Sequence, residues 1–310
     1  MPPHRSPVVT TALRGVPRHL YPFDPRLFPR GPTHISYLDE GPPDAHPVVM
    51  LHGNPTWSLS FRNLVLALRD RYRCLAPDHV GCGLSGKPRD NVYDYTLSSR
   101  VADLGAWLHH TVPGPTPITL VAHDWGGMIG MAWAVRNPGR VARVVLLNTA
   151  AFLLPRGKTF PWALRLARTP VGALAVLGAN GFARVAARVC VRRRPLSAEV
   201  RRGYLAPYGT WGDRRATLRF VQDIPLSPGD PAYALVQETA DLLHVLADRP
   251  VMFCWGMRDF VFDHHFLAEW VRRFPGAAVH RFPEAGHYVL EDESADVIRL
   301  VRGFLEEGAS

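Results

Sequence analysis

Hydrophobic positions along the chain fall into short runs separated by stretches of helical spacing. Thr33-His34-Ile35-Ser36-Tyr37-Leu38-Asp39 alternates, as an outer strand does. Pro47-Val48-Val49-Met50-Leu51 is a continuous apolar run, the mark of a strand buried on both faces. Ile118–Val121 and Val141–Asn148 also read as buried strands, and Arg73–Ala76, Val251–Gly256 and Val279–Phe282 as further short strands. Between them, Phe61–Leu68, Leu97–His110 and Met128–Val135 space their apolar residues as helices do. Short strands alternating with helices predict a mostly parallel sheet covered on both faces.

The rhythm breaks between about Phe152 and Leu246, where helical patterns and prolines occur without a convincing strand. It resumes at Val251 and closes with a helix over Ala295–Leu305. The expected fold is therefore α/β: an eight-stranded, mostly parallel sheet flanked by helices, with an all-helical cap inserted after strand 6. The division is 1–151 for the first part of the core, 152–246 for the cap and 247–310 for the rest of the core. Such a cap would lie over the carboxyl ends of the strands, where open α/β sheets bind ligands. Residues 1–31 are proline-rich and are expected to run over the surface.

Length and composition narrow the picture. A chain of 310 residues, 47% hydrophobic, buries a large core. The net charge is +9, almost all of it arginine, since Lys87 and Lys158 are the only lysines. An arginine-favouring genome explains that charge; attraction to an anionic membrane surface or an acidic partner is the functional reading. No nucleic-acid-binding motif accompanies it, so no nucleic-acid partner is expected. Cys74, Cys82, Cys190 and Cys254 are widely spaced and read as free thiols of a reducing compartment. The first 21 residues lack an apolar signal-peptide core, and no stretch reaches the ~18 apolar residues of a membrane span. A cytoplasmic protein, with peripheral membrane contact through its arginines, is the expectation. No metal or cofactor is called for.

The candidate chemistry centres on Val121-Ala122-His123-Asp124-Trp125-Gly126-Gly127, between a strand and a helix. Small residues two before and two after a central residue mark a nucleophile elbow, the sharp turn of α/β-hydrolases. Here the tip is Asp124, a carboxylate. This fold supplies the partners in the order nucleophile, acid, histidine. Asp259 follows the strand ending at Gly256, and His287 follows the last strand. Asp263 competes for the acid role, but its place before a helical pattern suits an N-cap. Asp78 precedes glycines on both sides of Cys82 and suits a turn. Backbone N–H groups of Trp125 and Asn54 would form an oxyanion hole. The Asn54 amide and Trp125 indole offer two further donors for a departing anion.

These motifs have a family resemblance. His52-Gly53-Asn54-Pro55-Thr56-Trp57-Ser58, Asp78-His79-Val80-Gly81-Cys82-Gly83-Leu84-Ser85 and His123-Asp124-Trp125-Gly126-Gly127 resemble the haloalkane dehalogenase family of α/β-hydrolases. Tyr21-Pro22-Phe23, Asn148–Phe152, Phe220–Leu226, Asp259–Asp263 and Gly286–Asp292 are more similar to the β-lactone decarboxylases of bacterial long-chain olefin biosynthesis. The resemblance implies Asp124 as nucleophile, His287 as base, Asp259 as acid, and Asn54 with Trp125 as the leaving-group pair. Phe152, Phe220, Phe260 and Tyr288, within the second set, are candidate pocket residues. The implied substrate is small and hydrophobic: a dialkyl β-lactone giving a cis-alkene and carbon dioxide, or alternatively a haloalkane giving alcohol and halide. The resemblance also implies assembly with the other olefin-pathway enzymes. An epoxide hydrolase would need cap tyrosines as acids, with Tyr204, Tyr208 and Tyr233 as candidates. A fold kept only for binding is a fourth reading. The apolar segment Val171–Val191 either lines channels for alkyl arms or simply packs on the core.

Overall fold

The computed structural model describes residue 13 and residues 15–307. The first twelve residues of the N-terminal stretch therefore lie outside the described residues.

Eight strands form one sheet: β1 (Arg26–Arg30), β2 (Thr33–Glu40), β3 (Pro47–Leu51), β4 (Arg73–Pro77), β5 (Ile118–Asp124), β6 (Val141–Thr149), β7 (Val251–Gly256) and β8 (Ala278–Phe282). Their order is β1-β2-β4-β3-β5-β6-β7-β8. β1 and β2 pair antiparallel, as do β2 and β4; the remaining pairs are parallel. Every residue of β3 and β5 is buried, as their unbroken apolar runs require.

β1 corrects the reading of residues 1–31 as surface chain. Its Pro29 cannot donate to a ladder, but an outermost strand tolerates this. Just before it, Tyr21 and Phe23 are buried in the core beside Trp57.

Helices α1 (Arg62–Leu68), α2 (Leu97–Thr111) and α3 (Trp125–Ala134) connect the early strands. Between β6 and β7 lie six α-helices and no strand: α4 (Trp162–Ala167), α5 (Pro170–Ala179), α6 (Gly181–Val189), α7 (Ala198–Leu205), α8 (Arg215–Gln222) and α9 (Tyr233–Leu242). α10 (His264–Arg273), α11 (Val289–Asp292) and α12 (Ser294–Glu306) complete the chain. One core cluster joins α2, α3 and α10 to the sheet through Trp107, Ile129 and Trp270. Another joins α1 and α12 through Leu64, Val301 and Phe304. The two clusters cover opposite faces with apolar side chains. Among the described residues no single helix is long and apolar enough to cross a membrane.

The strand order decides where chemistry can occur. The chain runs from β3 outward to β4 on one side, then returns to place β5 on the other side of β3. Loops leaving β3 and β5 therefore diverge and open a crevice at their carboxyl ends. Leu51 is in register with Ala122, which sets Asn54 close to Asp124. β6, β7 and β8 follow as successive neighbours and deliver Asn148, Asp259 and His287 to the same edge.

Candidate active site

Asp124 ends β5 and caps α3 with φ 52° and ψ −128°. Such a backbone costs a non-glycine residue roughly 1–3 kcal/mol, so its surroundings must enforce it. Close packing does so. A Cβ at Gly126 would collide with the Leu51 carbonyl, and one at Gly53 with the Asp124 carboxylate. Thr149 Oγ1 donates to the Asp124 carbonyl from β6. The turn leaves the Asp124 side chain pointing from the sheet edge into the crevice.

His287 lies between β8 and α11 and is buried. Its Nδ1 donates to Asp259 Oδ2 at 2.8 Å, and its Nε2 stands 3.5 Å from Asp124 Oδ2. Burial alone would push the imidazole down, but Asp259 and Asp124 outweigh it and raise its pKa to about 10. The ring is thus an imidazolium held between two carboxylates. Burial also acts on Asp124, yet the hydrogen bond and charge of His287 hold its pKa below the usual carboxylate value. Asp259 is fixed in turn, accepting from the Val261 N–H at 2.7 Å and from Asn148 Nδ2 at 3.1 Å.

Asp263 is the N-cap of α10, accepting from the His265 N–H at 3.0 Å and pairing with Lys158 at 2.9 Å. Asp78 accepts from the N–H groups of Ser58 and Leu84, at 2.7 and 2.8 Å, and ties two loops together. Neither touches His287.

Backbone donors converge on Asp124 itself. The Asn54 N–H donates to Oδ1 at 2.6 Å, and the Trp125 N–H also stabilises the carboxylate. Asn54 Nδ2 donates one hydrogen to the Thr217 carbonyl of α8 at 3.1 Å. That bond orients the amide from the helical insertion. The amide keeps a second hydrogen. Among the described residues no acceptor pairs with the Trp125 indole N–H. Asn54 and Trp125 line the same cavity as Asp124 and His287.

That cavity is about 360 Å³ and runs from the carboxylate between the insertion helices. Its polar end is the Asp124 cluster; the remaining wall is aliphatic and aromatic except for Lys158, whose charge is paired with Asp263. Phe152 and Phe260 line it, as do Ala175, Val176, Phe182 and Val185 from α5 and α6. The Val171–Val191 segment therefore shapes the cavity as well as packing on the core. Two expected pocket residues sit behind the wall. Phe220 is fully buried between the Trp125 ring, at 5.2 Å, and the Arg100 guanidinium, at 3.5 Å. Tyr288 stacks on Tyr204 at 5.4 Å. Both aromatic faces are already covered, so neither ring reaches the cavity. The tyrosines an epoxide opening would need are also absent from the wall. Tyr204 donates to Glu291 at 2.6 Å and Tyr208 to the Thr56 carbonyl at 3.3 Å.

Two supporting residues escaped the sequence reading. Asn148, with φ 33°, bridges β6 to β7 by accepting from the Gly256 N–H at 2.8 Å while donating to Asp259. Its position at the carboxyl end of a strand was the available signal. His123, directly before Asp124, donates through Nε2 to the His287 carbonyl at 2.8 Å. Burial lowers its pKa to about 4, which keeps it neutral beside the imidazolium.

Residues 46–294 match the family model of the alpha/beta hydrolase fold. The chain belongs to the α/β-hydrolase family. Two curated relatives named cis-3-alkyl-4-alkyloxetan-2-one decarboxylase resemble this α/β-hydrolase along nearly all of its length. The one from Shewanella oneidensis is 50% identical, covering 93% of this chain and 90% of the relative. The one from Xanthomonas campestris is 49% identical, covering 92% and 97%. The crystal structure of a haloalkane dehalogenase from Bradyrhizobium elkani superposes with a TM-score of 0.80 at 28% identity, over 91% of this chain and 97% of that one. The α/β-hydrolase is thus an enzyme whose site has a dehalogenase-like layout and whose cavity suits a small hydrophobic substrate.

Proposed function

We propose that this enzyme decarboxylates a cis-3,4-dialkyl β-lactone, releasing carbon dioxide and a cis-alkene. The observation that carries the reading is the 50% and 49% identity to relatives named for that reaction, against 32% and 34% to relatives named haloalkane dehalogenase. The cavity supports it. The polar Asp124 end opens onto walls that are apolar apart from the ion-paired Lys158, which suits a molecule with one strained ester and two alkyl arms.

In this reading residues 152–246 form a cap over a core made of 1–151 and 247–310. Asp124 is the nucleophile. Its Oδ2 attacks the ring carbon bearing the lactone oxygen, and that C–O bond breaks with inversion. The freed carboxylate is accepted by the Trp125 indole and the Asn54 amide. Its C–C bond then breaks, the electron pair forms the alkene, and the ester C–O bond to Asp124 breaks on the opposite side. Inversion followed by anti elimination gives a cis-alkene from a cis-lactone. No proton is gained or lost, so His287 acts as a fixed cation. Two carboxylates hold it protonated, and it stabilises Asp124 before attack and as it leaves. Asp259 and Asn148 orient it. The four buried free thiols suit a reducing cytoplasm.

The same donor pair could hold a halide, so dehalogenation is the competing outcome. Purified enzyme should convert a cis-dialkyl β-lactone to equimolar cis-alkene and carbon dioxide, followed by gas chromatography. Halide release from bromoalkanes without alkene from the lactone overturns the proposal.

A further inference from the structure

We propose that the outer face of α4, α5 and α6 docks on an anionic lipid bilayer, with the mouth of the cavity opening into that face. The first observation is exposure. Trp162 is 76% exposed, Val171 71%, Leu174 61% and Val185 56%, all on three successive short helices. Large apolar side chains grouped in this way mark a surface that meets something other than water. The second observation links that surface to the cavity. Leu154, Leu166 and Val185 are exposed and also line the cavity wall. The cavity therefore reaches solvent among the same residues that make the face apolar.

The third observation names the occupant. Residues 152–198 contain eight arginines and one lysine, with no aspartate or glutamate. Lys158, Arg168 and Arg193 pair with carboxylates supplied from outside that segment. Among the described residues the guanidinium groups of Arg156, Arg165, Arg184, Arg188, Arg192 and Arg194 pair with no carboxylate. On α6, Arg184 and Arg188 flank the exposed Val185. Cations beside exposed Trp, Leu and Val fit the boundary between phosphate headgroups and acyl chains. A second copy of the chain is disfavoured, because a two-fold contact would set arginine against arginine. The 81° bend between α5 and α6 lets the pair lie along a surface without entering it.

Docking would let a substrate with long alkyl arms pass from acyl chains into the cavity without crossing water. That delivery role rests on the decarboxylase reading; the docking does not.

The test uses the full chain, without substrate, in co-sedimentation with vesicles of phosphatidylcholine alone or mixed with phosphatidylglycerol. The expected result is binding to the mixed vesicles that falls in 0.5 M salt. Arg184→Gln with Arg188→Gln should weaken it roughly 30-fold, since each cation near an anionic surface contributes about fivefold. Trp162→Ser with Val171→Ser should weaken it in low and high salt alike. None of the four residues lines the cavity, so turnover of a short, water-soluble β-lactone should be unchanged, which also reports folding. Failure of the wild-type chain to sediment with phosphatidylglycerol vesicles overturns the proposal, whatever the variants do. So does binding that both variant pairs leave intact. A dimer in mass photometry that these substitutions dissolve, without vesicle binding, assigns the face to a second copy instead.

Discussion

Asp124 and Val185 line one cavity, yet their surroundings have little in common. The Asp124 carboxylate is held by the Asn54 and Trp125 N–H groups and faces the His287 imidazolium, with its backbone pinned by Thr149. Five strands contribute to that cluster, and no member is free to move alone. Val185 lies on a two-turn helix with more than half its surface exposed. The helices around it meet the core through apolar contacts and a few polar ties, such as Asn54 to Thr217. A reaction centre needs groups fixed to fractions of an ångström, and a sheet edge supplies that. A pocket for alkyl arms needs only shape and dryness, and short helices supply those while tolerating change. Substitutions at the strand ends should therefore abolish turnover for every substrate. Substitutions in the cap should alter which substrate is turned over.

The largest expected effect is at Asp124, the proposed nucleophile. Asp124→Asn should lower kcat by about 10⁴-fold or more, on long and short β-lactones equally. The fold should persist, because the amide still accepts from the Asn54 N–H. Equal loss across chain lengths is the informative part; loss confined to long substrates would break the division drawn here. Trp125→Phe keeps the ring against Phe220 but removes the indole donor. It should cost about 10²–10³ in kcat, the scale of one lost oxyanion donor, again independent of chain length.

The tie between the two regions can be cut directly. Glu291 of α11 pairs with Arg62 of α1 at 2.5 Å and accepts from Tyr204 of the cap helix α7 at 2.6 Å. All three are buried or nearly so. Glu291→Gln leaves the Arg62 charge without its partner, at a cost of about 3–5 kcal/mol. Thermal unfolding should shift down by roughly 5–8 °C. A single transition would show that core and cap melt together. Two transitions would show that this buried triad is what joins them.

The charge at His287 sets a pH dependence confined to the strand-end cluster. Its pKa rises from the ordinary 6.5 to about 10, because the two carboxylates outweigh burial. The folded state thus binds a proton that the unfolded state releases above pH 6.5. Its stabilisation is complete below that pH and is lost as pH rises towards 10. His287→Gln should flatten the decline in melting temperature between pH 7 and 10 relative to wild type. An unchanged slope would mean that the imidazole is not held charged.

The sequence was legible where strand order carries the information. Asp124 ends the buried strand β5, Asp259 follows the buried strand β7 and His287 follows the edge strand β8, so their convergence could be read from the order of the strands. Asp263 and Asp78 were separable from them because capping and turn positions have their own local signatures. Aromatic residues outside that frame were not legible. Phe220 and Tyr288 belong to segments whose rotation about their own axes is set by contacts with Arg100, Trp125 and Tyr204. No local pattern encodes those contacts. β1 was hidden for a related reason. An edge strand of five residues containing proline lacks both alternation and a full ladder, and only its pairing with β2 reveals it.

The smallest effect is the sharpest test of the cap. Ala175 lines the cavity from α5 of the helical insertion, not from the strand ends. Ala175→Phe fills part of the space that alkyl arms would occupy. For a β-lactone with short arms kcat and KM should both stay within about twofold. For long arms kcat/KM should fall roughly tenfold, the scale of a few displaced methylene contacts. Most of that loss should appear in KM, because arms bound equally in ground and transition states affect binding alone. A fall in kcat with short arms would mean that α5 reaches the reaction centre and that the two regions are not separate in function.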